Sequence, residues 1–236
     1  MKEPLVLLPG MMCDARLFGP QIAELSCDTA VMVAPVTMGE RIEEIASSLL
    51  DILPKRFALA GLSMGGVVAM EILRRAPDRV SRIALIDTHP LAETPVVAAN
   101  REPQIIKVRS GRMDEVIREE IKPTTLAPGP YRNEVLAPVM DMARTLGPEV
   151  YIRQARAMQR RKDQQVTLRR CKVPALIMCG AFDTICPVKR HEFMAELIPY
   201  ARLHVLENSG HLPTLEQPDE TTAALRSWMK QPYVLQ

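Results

Sequence analysis

The sequence predicts a doubly wound α/β sheet, and three observations carry that reading. Short apolar runs alternate with stretches of helical period along most of the chain. With 236 residues, 47% of them hydrophobic, the chain can bury one substantial core. A G-x-S-x-G sequence, Gly61-Leu62-Ser63-Met64-Gly65, falls where an apolar run gives way to a helical pattern.

The elements follow in order. Residues 5–8 form a first buried-type strand that stops at Pro9-Gly10, and residues 30–33 form a second. Residues 41–53 set Ile42, Ile45, Leu49 and Ile52 on one helical face that ends at Pro54. The strand at 57–60 leads into the Ser63 turn, a helix follows over 64–75, and a strand at 82–86 ends at Asp87. Two more strands are expected at 175–178 and 202–206, and a last helix runs from about 219 to 230. From residue 89 to about 163 no strand pattern occurs. Helical stretches are expected there at 96–108, 114–121, 132–146 and 149–161, separated by Gly111, by the proline-bounded segment 123–130 and by Gly147-Pro148. The expected organisation is a core domain of residues 1–88 and 166–236 with an all-helical cap over 89–165. There is no internal repeat and no low-complexity segment.

Ser63 reads as a nucleophile for a geometric reason. A sharp strand-to-helix turn holds its central residue in a strained backbone and lifts the hydroxyl clear of the sheet, and glycines on either side let neighbouring chain pass close. The helix start beyond it offers unpaired N–H groups to developing negative charge. Such a serine needs a His to take its proton and a carboxylate to orient that His, in the chain order Ser, acid, His. Asp183, after the strand at 175–178, and His211, after the strand at 202–206, satisfy that order. Asp87, which ends the strand at 82–86, is the rival acid. Glu216 reads as an ion-pairing or capping carboxylate, and His89, His191 and His204 as surface or pocket-edge residues. Met11, Met12, Met64, Met113, Met140, Met142 and Met158 are core or an adaptable pocket mouth.

Taken together, Leu7-Leu8-Pro9-Gly10-Met11, Gly-Leu-Ser-Met-Gly-Gly from Gly61, Gly-x-x-Asp-x-x-x-Pro from Gly180 and Gly-His-x-x-x-x-Glu-x-Pro from Gly210 resemble the α/β-hydrolase fold superfamily. Within it the chain is similar to the small serine esterases, lactonases and haloperoxidase-like enzymes. The resemblance implies a mostly parallel sheet lacking the N-terminal antiparallel hairpin, with the cap inserted after the sixth strand in the family's count. It implies a catalytic triad of Ser63, Asp183 and His211. It also implies an oxyanion hole of two backbone N–H groups, one from Met64 and one from Met11, with Met12 as the alternative. Pro9-Gly10 stands where many relatives carry His-Gly.

The expected activity is hydrolysis of carboxylic esters through an acyl-enzyme, on short to medium acyl chains, with lactones and polyesters as further candidates. A serine at the elbow excludes the dehalogenase and epoxide-hydrolase branches, which need Asp there. The alternatives are a C–C bond hydrolase, a cofactor-free perhydrolase or haloperoxidase-like enzyme, and a binding protein that keeps the triad. No cofactor and no metal are expected. A net charge of +2 calls for no obligate polyanionic partner, so no nucleic acid is expected. The basic run from Arg153 to Lys172, which includes Arg160, Arg161 and Lys162, reads as a solvated helix face, the alternative being the steering of an anionic substrate. Five cysteines without a C-x-x-C pair fit a reducing cytoplasm. The N-terminal apolar run is too short for a signal peptide, and no stretch approaches a membrane span.

Overall fold

The computed structural model describes residues 3–233, so the part of the N-terminal reading that rests on Met1 and Lys2 lies outside it. Strands β1 (Leu5–Leu8), β2 (Val31–Val33), β3 (Phe57–Leu62), β4 (Val80–Ile86), β5 (Ala175–Gly180) and β6 (Ala201–Leu206) form one sheet in the order β2-β1-β3-β4-β5-β6. Every pairing in it is parallel among the described residues. β1, β3, β4 and β5 are buried along their whole length, whereas the edge strands β2 and β6 are partly exposed. This explains why the inner strands read as apolar runs, with Ser81 and Arg82 near the start of β4 the exceptions.

The helices are α1 (Gly19–Leu25), α2 (Ile42–Ile52), α3 (Met64–Arg75), α4 (Pro95–Arg109), α5 (Met113–Glu120), α6 (Arg132–Leu146), α7 (Pro148–Gln159), α8 (Gln165–Arg169), α9 (Val188–Leu197), α10 (Pro213–Glu216) and α11 (Pro218–Met229). Successive strand residues point to opposite faces, and the core divides accordingly. Val6, Leu8, Leu59, Leu85 and Ile177 pack with Ile45 and Leu49 of α2, Val68 and Ile72 of α3, and Met194 of α9. Leu5, Leu7, Ala60, Ile86 and Met178 pack on the other side with Leu25 of α1 and with Leu225 and Trp228 of α11. A separate cluster, Ile105, Val108, Val116, Ile117, Ala143, Tyr151 and Ala155, belongs to α4 through α7, which together intervene between β4 and β5.

The elements expected from sequence are present, with ends shifted by a few residues; β3 runs on through Leu62, so the turn holding Ser63 has no loop before it. Helices α1, α8, α9 and α10 are additions to the expected set. The order of the sheet reverses at β1 and β3: from β1 the chain steps outward to β2, then returns to the other side as β3. The carboxyl ends of these two strands open the crevice that such a reversal creates.

Candidate active site

Ser63 directly follows β3 and has φ 53 and ψ −115, a left-handed conformation that costs a non-glycine residue on the order of 1–3 kcal/mol. The surroundings enforce it. The Ser63 amide donates to the Ile86 carbonyl at 2.9 Å, and its carbonyl accepts from the Gly66 and Val67 amides and from the Thr88 hydroxyl at 2.8 Å. A Cβ at Gly65 would stand 2.1 Å from the Leu8 carbonyl oxygen, so only glycine lets α3 start this close to the end of β1.

Ser63, Asp183 and His211 meet beyond the ends of three different strands. The His211 Nδ1 donates to Asp183 Oδ2 at 2.8 Å, which leaves Nε2 to accept from the Ser63 hydroxyl at 3.1 Å. The His211 and Asp183 side chains are almost fully buried. The other oxygen of Asp183, Oδ1, accepts from the amides of Ile185 at 2.7 Å and Cys186 at 3.0 Å. Burial raises the Asp183 pKa, but the neighbouring His211, the Asp87 carboxyl and these amides outweigh it and hold it at about 2.

Asp87, the rival acid, lies beside Asp183 and does not reach the His211 ring. It is fully buried in a left-handed backbone (φ 43), and its Oδ1 accepts from the Gly180 amide at 3.0 Å. Burial first, and then the charge of Asp183, push its pKa well above the usual carboxylate range. The pair therefore resists holding two charges, and Asp183 is its more acidic member.

Glu216 is a structural carboxylate as expected, but it makes no ion pair among the described residues. It accepts from the Gly210 amide at 2.9 Å, the Leu212 amide at 2.9 Å and the Ala127 amide at 2.8 Å. The His211 amide in turn donates to the Thr125 carbonyl at 2.8 Å.

The amide of Met12 (φ 55) donates to Gln154 Oε1 at 2.9 Å, and Gln154 Nε2 donates to the Val36 carbonyl at 3.0 Å. Gln154 is fully buried, and through it α7 fixes the loop after β1. Met12 is thus committed elsewhere, whereas Met11 lines the cavity that holds Ser63, Met64 and His211.

That cavity, about 550 Å³, lies under the segment from β4 to α7. Of the methionines considered from sequence as core or pocket mouth, Met11, Met64 and Met158 line it. Charged groups also line it. Arg101 pairs with Glu93 at 2.8 Å and Glu120 at 3.2 Å, and Tyr151 donates to Glu120 at 2.9 Å. Arg161 and Arg190 face the same space. Arg161 thus departs from the solvated face expected of its basic run, whereas Lys162 and Arg160 pair outward with Glu43 and Glu40. His89 is at the pocket edge, as expected, with its pKa brought down to about 3 by burial and by Arg161 and Arg190. His191 is instead fully buried, its Nε2 accepting from the Thr88 amide at 3.1 Å, and burial lowers its pKa to about 4. His204 is at the surface, 3.3 Å from Glu220.

The thiol of Cys186 lies close enough to Asp183 and His211 to suggest a metal cluster, with ligand atoms within 4.8 Å of one another. Burial and the adjacent Asp183 charge hold that thiol protonated, and both other groups are engaged in the chain of hydrogen bonds to Ser63. Cys13 is likewise buried, its thiol pushed up to about 12.

Comparisons agree with this architecture. A thermophilic esterase from Thermogutta terrifontis, whose structure was determined with malate bound, superimposes with a TM-score of 0.89 at 30% identity, covering 97% of this chain and 89% of that one. The enol-lactonase of Burkholderia xenovorans shares the fold, with a TM-score of 0.85 at 24% identity over 98% of this chain and 93% of its own. A pimeloyl-[acyl-carrier protein] methyl ester esterase from Aromatoleum aromaticum is 28% identical over 197 residues, 77% of each chain. The alpha/beta hydrolase family profile matches residues 5–225, and with the parallel sheet and the Ser63 turn it establishes that the chain belongs to the alpha/beta hydrolase family.

Proposed function

We propose that this protein is a serine hydrolase of carboxylic esters that works through an acyl-enzyme on Ser63. The observation that carries the reading is the unbroken sequence of hydrogen bonds from Ser63 Oγ through the His211 ring to Asp183, at 3.1 and 2.8 Å. Ser63 attacks the ester carbonyl as His211 Nε2 takes its proton. Asp183, negative over the working pH range, fixes the Nδ1–H tautomer and stabilises the imidazolium. His211 then protonates the leaving alcohol, and a water activated by the same nitrogen releases the acid.

The tetrahedral oxyanion is bound by the amides of Met64, at the start of α3, and of Met11, since Met12 already donates to Gln154. Helices α4 to α7 act as a cap that excludes water and shapes the acyl or alcohol pocket. The substrate is a small molecule, and the five unpaired cysteines fit a reducing compartment. No helix among the described residues is long and apolar enough to cross a membrane.

The test is hydrolysis of p-nitrophenyl acetate and butyrate by wild type and by Ser63→Ala. Wild type is expected to exceed the variant by at least about 10³. Equal rates would remove the ester-hydrolase reading.

A further inference from the structure

Two arginines of the cavity are treated in opposite ways. Arg101 is neutralised by Glu93 and Glu120. Arg161, which follows α7, has no carboxylate within ion-pairing distance among the described residues. Its Nε donates to the Leu91 carbonyl at 3.1 Å, and one Nη2 hydrogen to His89 Nε2 at 3.0 Å. A weak contact of 3.8 Å joins Nη1 to the Met158 sulfur. A guanidinium has five N–H donors, so donors remain beyond these contacts on a side chain that lines the cavity.

The partner choice is informative. His89 is held neutral, so it orients the guanidinium by accepting a hydrogen bond without cancelling its charge. Arg190, on α9, makes no side-chain hydrogen bond or ion pair among the described residues and lines the same cavity. Three arginines there face only two glutamates, and both glutamates are ion-paired with Arg101, Glu93 acting on Arg161 only through space. Withdrawing a cation from water without a carboxylate in direct contact is costly, and burial lowers the Arg161 pKa although the charge of Glu93 acts against it. An anion entering the cavity would relieve that cost. A planar fork with free N–H groups matches a carboxylate in two-point contact.

Resting on Ser63 as the nucleophile, we infer that Arg161, assisted by Arg190, is a specificity-determining subsite for a carboxylate, and that the favoured substrates are esters carrying a free carboxylate on the portion held under the cap. Monoesters of aliphatic dicarboxylic acids are the simplest members of this class. The negative end is held by Arg161 and the ester carbonyl is presented to Ser63, while Glu93 and Glu120 stay bound to Arg101.

The experiment compares kcat/KM for monomethyl adipate and methyl hexanoate, a pair matched in length and differing in charge. Wild type is expected to favour the charged ester by about tenfold or more, and Arg161→Gln to lower that ratio at least about tenfold. Arg161→Lys restores part of it. Arg190→Gln, at an exposed position, lowers it by about two- to threefold and serves should Arg161→Gln fail to fold. A ratio unchanged in both variants, or a wild type that prefers the neutral ester, overturns the inference.

Calorimetric titration of adipate separates this subsite from the catalytic reading. Adipate is expected to bind Ser63→Ala and to bind Ser63→Ala/Arg161→Gln at least tenfold more weakly. Equal binding, or none to either, removes the subsite whatever the fate of Ser63.

Discussion

Glu216 grips His211 from both sides: its carboxylate accepts the amide before the histidine, from Gly210, and the amide after it, from Leu212. A third bond, from Ala127, ties this loop to the segment before α6. The histidine is thus positioned by a carboxylate that never touches its ring. Replacing Glu216 with Ala is expected to leave three partly buried amides without their acceptor, lowering kcat by about 10- to 100-fold and stability by about 2–3 kcal/mol. Kinetics and a denaturant melt check this, and the Ser63 nucleophile should remain reactive, though more slowly, toward a phosphonate probe.

The two buried aspartates are expected to differ sharply. Asp183→Asn presents an amide to His211 Nδ1, favours the wrong tautomer and should cost about 10⁴ in kcat with normal folding. Asp87→Asn keeps an acceptor for the Gly180 amide and removes a carboxyl that does not reach His211, and should cost less than about tenfold. Steady-state kinetics of the two variants decide the matter, and reversed losses would move the acid to Asp87.

Gln154 holds the loop after β1 by accepting from Met12 and donating to Val36. Gln154→Leu leaves both backbone groups without their buried partner, which should cost about 2–4 kcal/mol. It should also lower kcat more than it changes KM, because the loop supplies an oxyanion donor that acts chiefly in the transition state.

Acid stability should depend on Glu71. Burial alone would raise its pKa, but bonds from Arg74, Arg75 and Gln164 bring it from 4.5 to about 2. A depressed folded-state value means that the stabilisation is full above about pH 4.5 and is lost as pH falls toward about 2. Glu71→Gln should be less stable than wild type by on the order of 2 kcal/mol near neutrality, with the gap closing across that window. Urea melts at several pH values measure it.

Much of the fold was legible because its inner strands are buried on both faces, which leaves short apolar runs such as Leu5 to Leu8 bounded by turn residues. The candidate triad was legible for a related reason: Ser63 and Asp183 stand just beyond such runs, and His211 a few residues beyond the edge strand β6. Helix α9 was missed because its charged residues Lys189, Arg190, Glu192 and Glu196 interrupt the helical face, leaving only His191 and Met194 buried. The burial of His191 depends on the Thr88 amide, a partner distant in sequence. Arg161 looked like its basic neighbours, and only the path of the chain after α7 turns it inward while Lys162 turns out. The competition between Met11 and Met12 likewise turns on Gln154, which no local pattern connects to that loop.

The central claim, that Ser63 is a nucleophile activated by His211, is tested most directly by reaction with a fluorophosphonate followed by intact-mass analysis and peptide mapping. The account predicts one adduct per chain, carried by Ser63, absent in Ser63→Ala and formed at least about 10²-fold more slowly in His211→Ala. An adduct on another residue, or none on the folded wild-type protein, would contradict it.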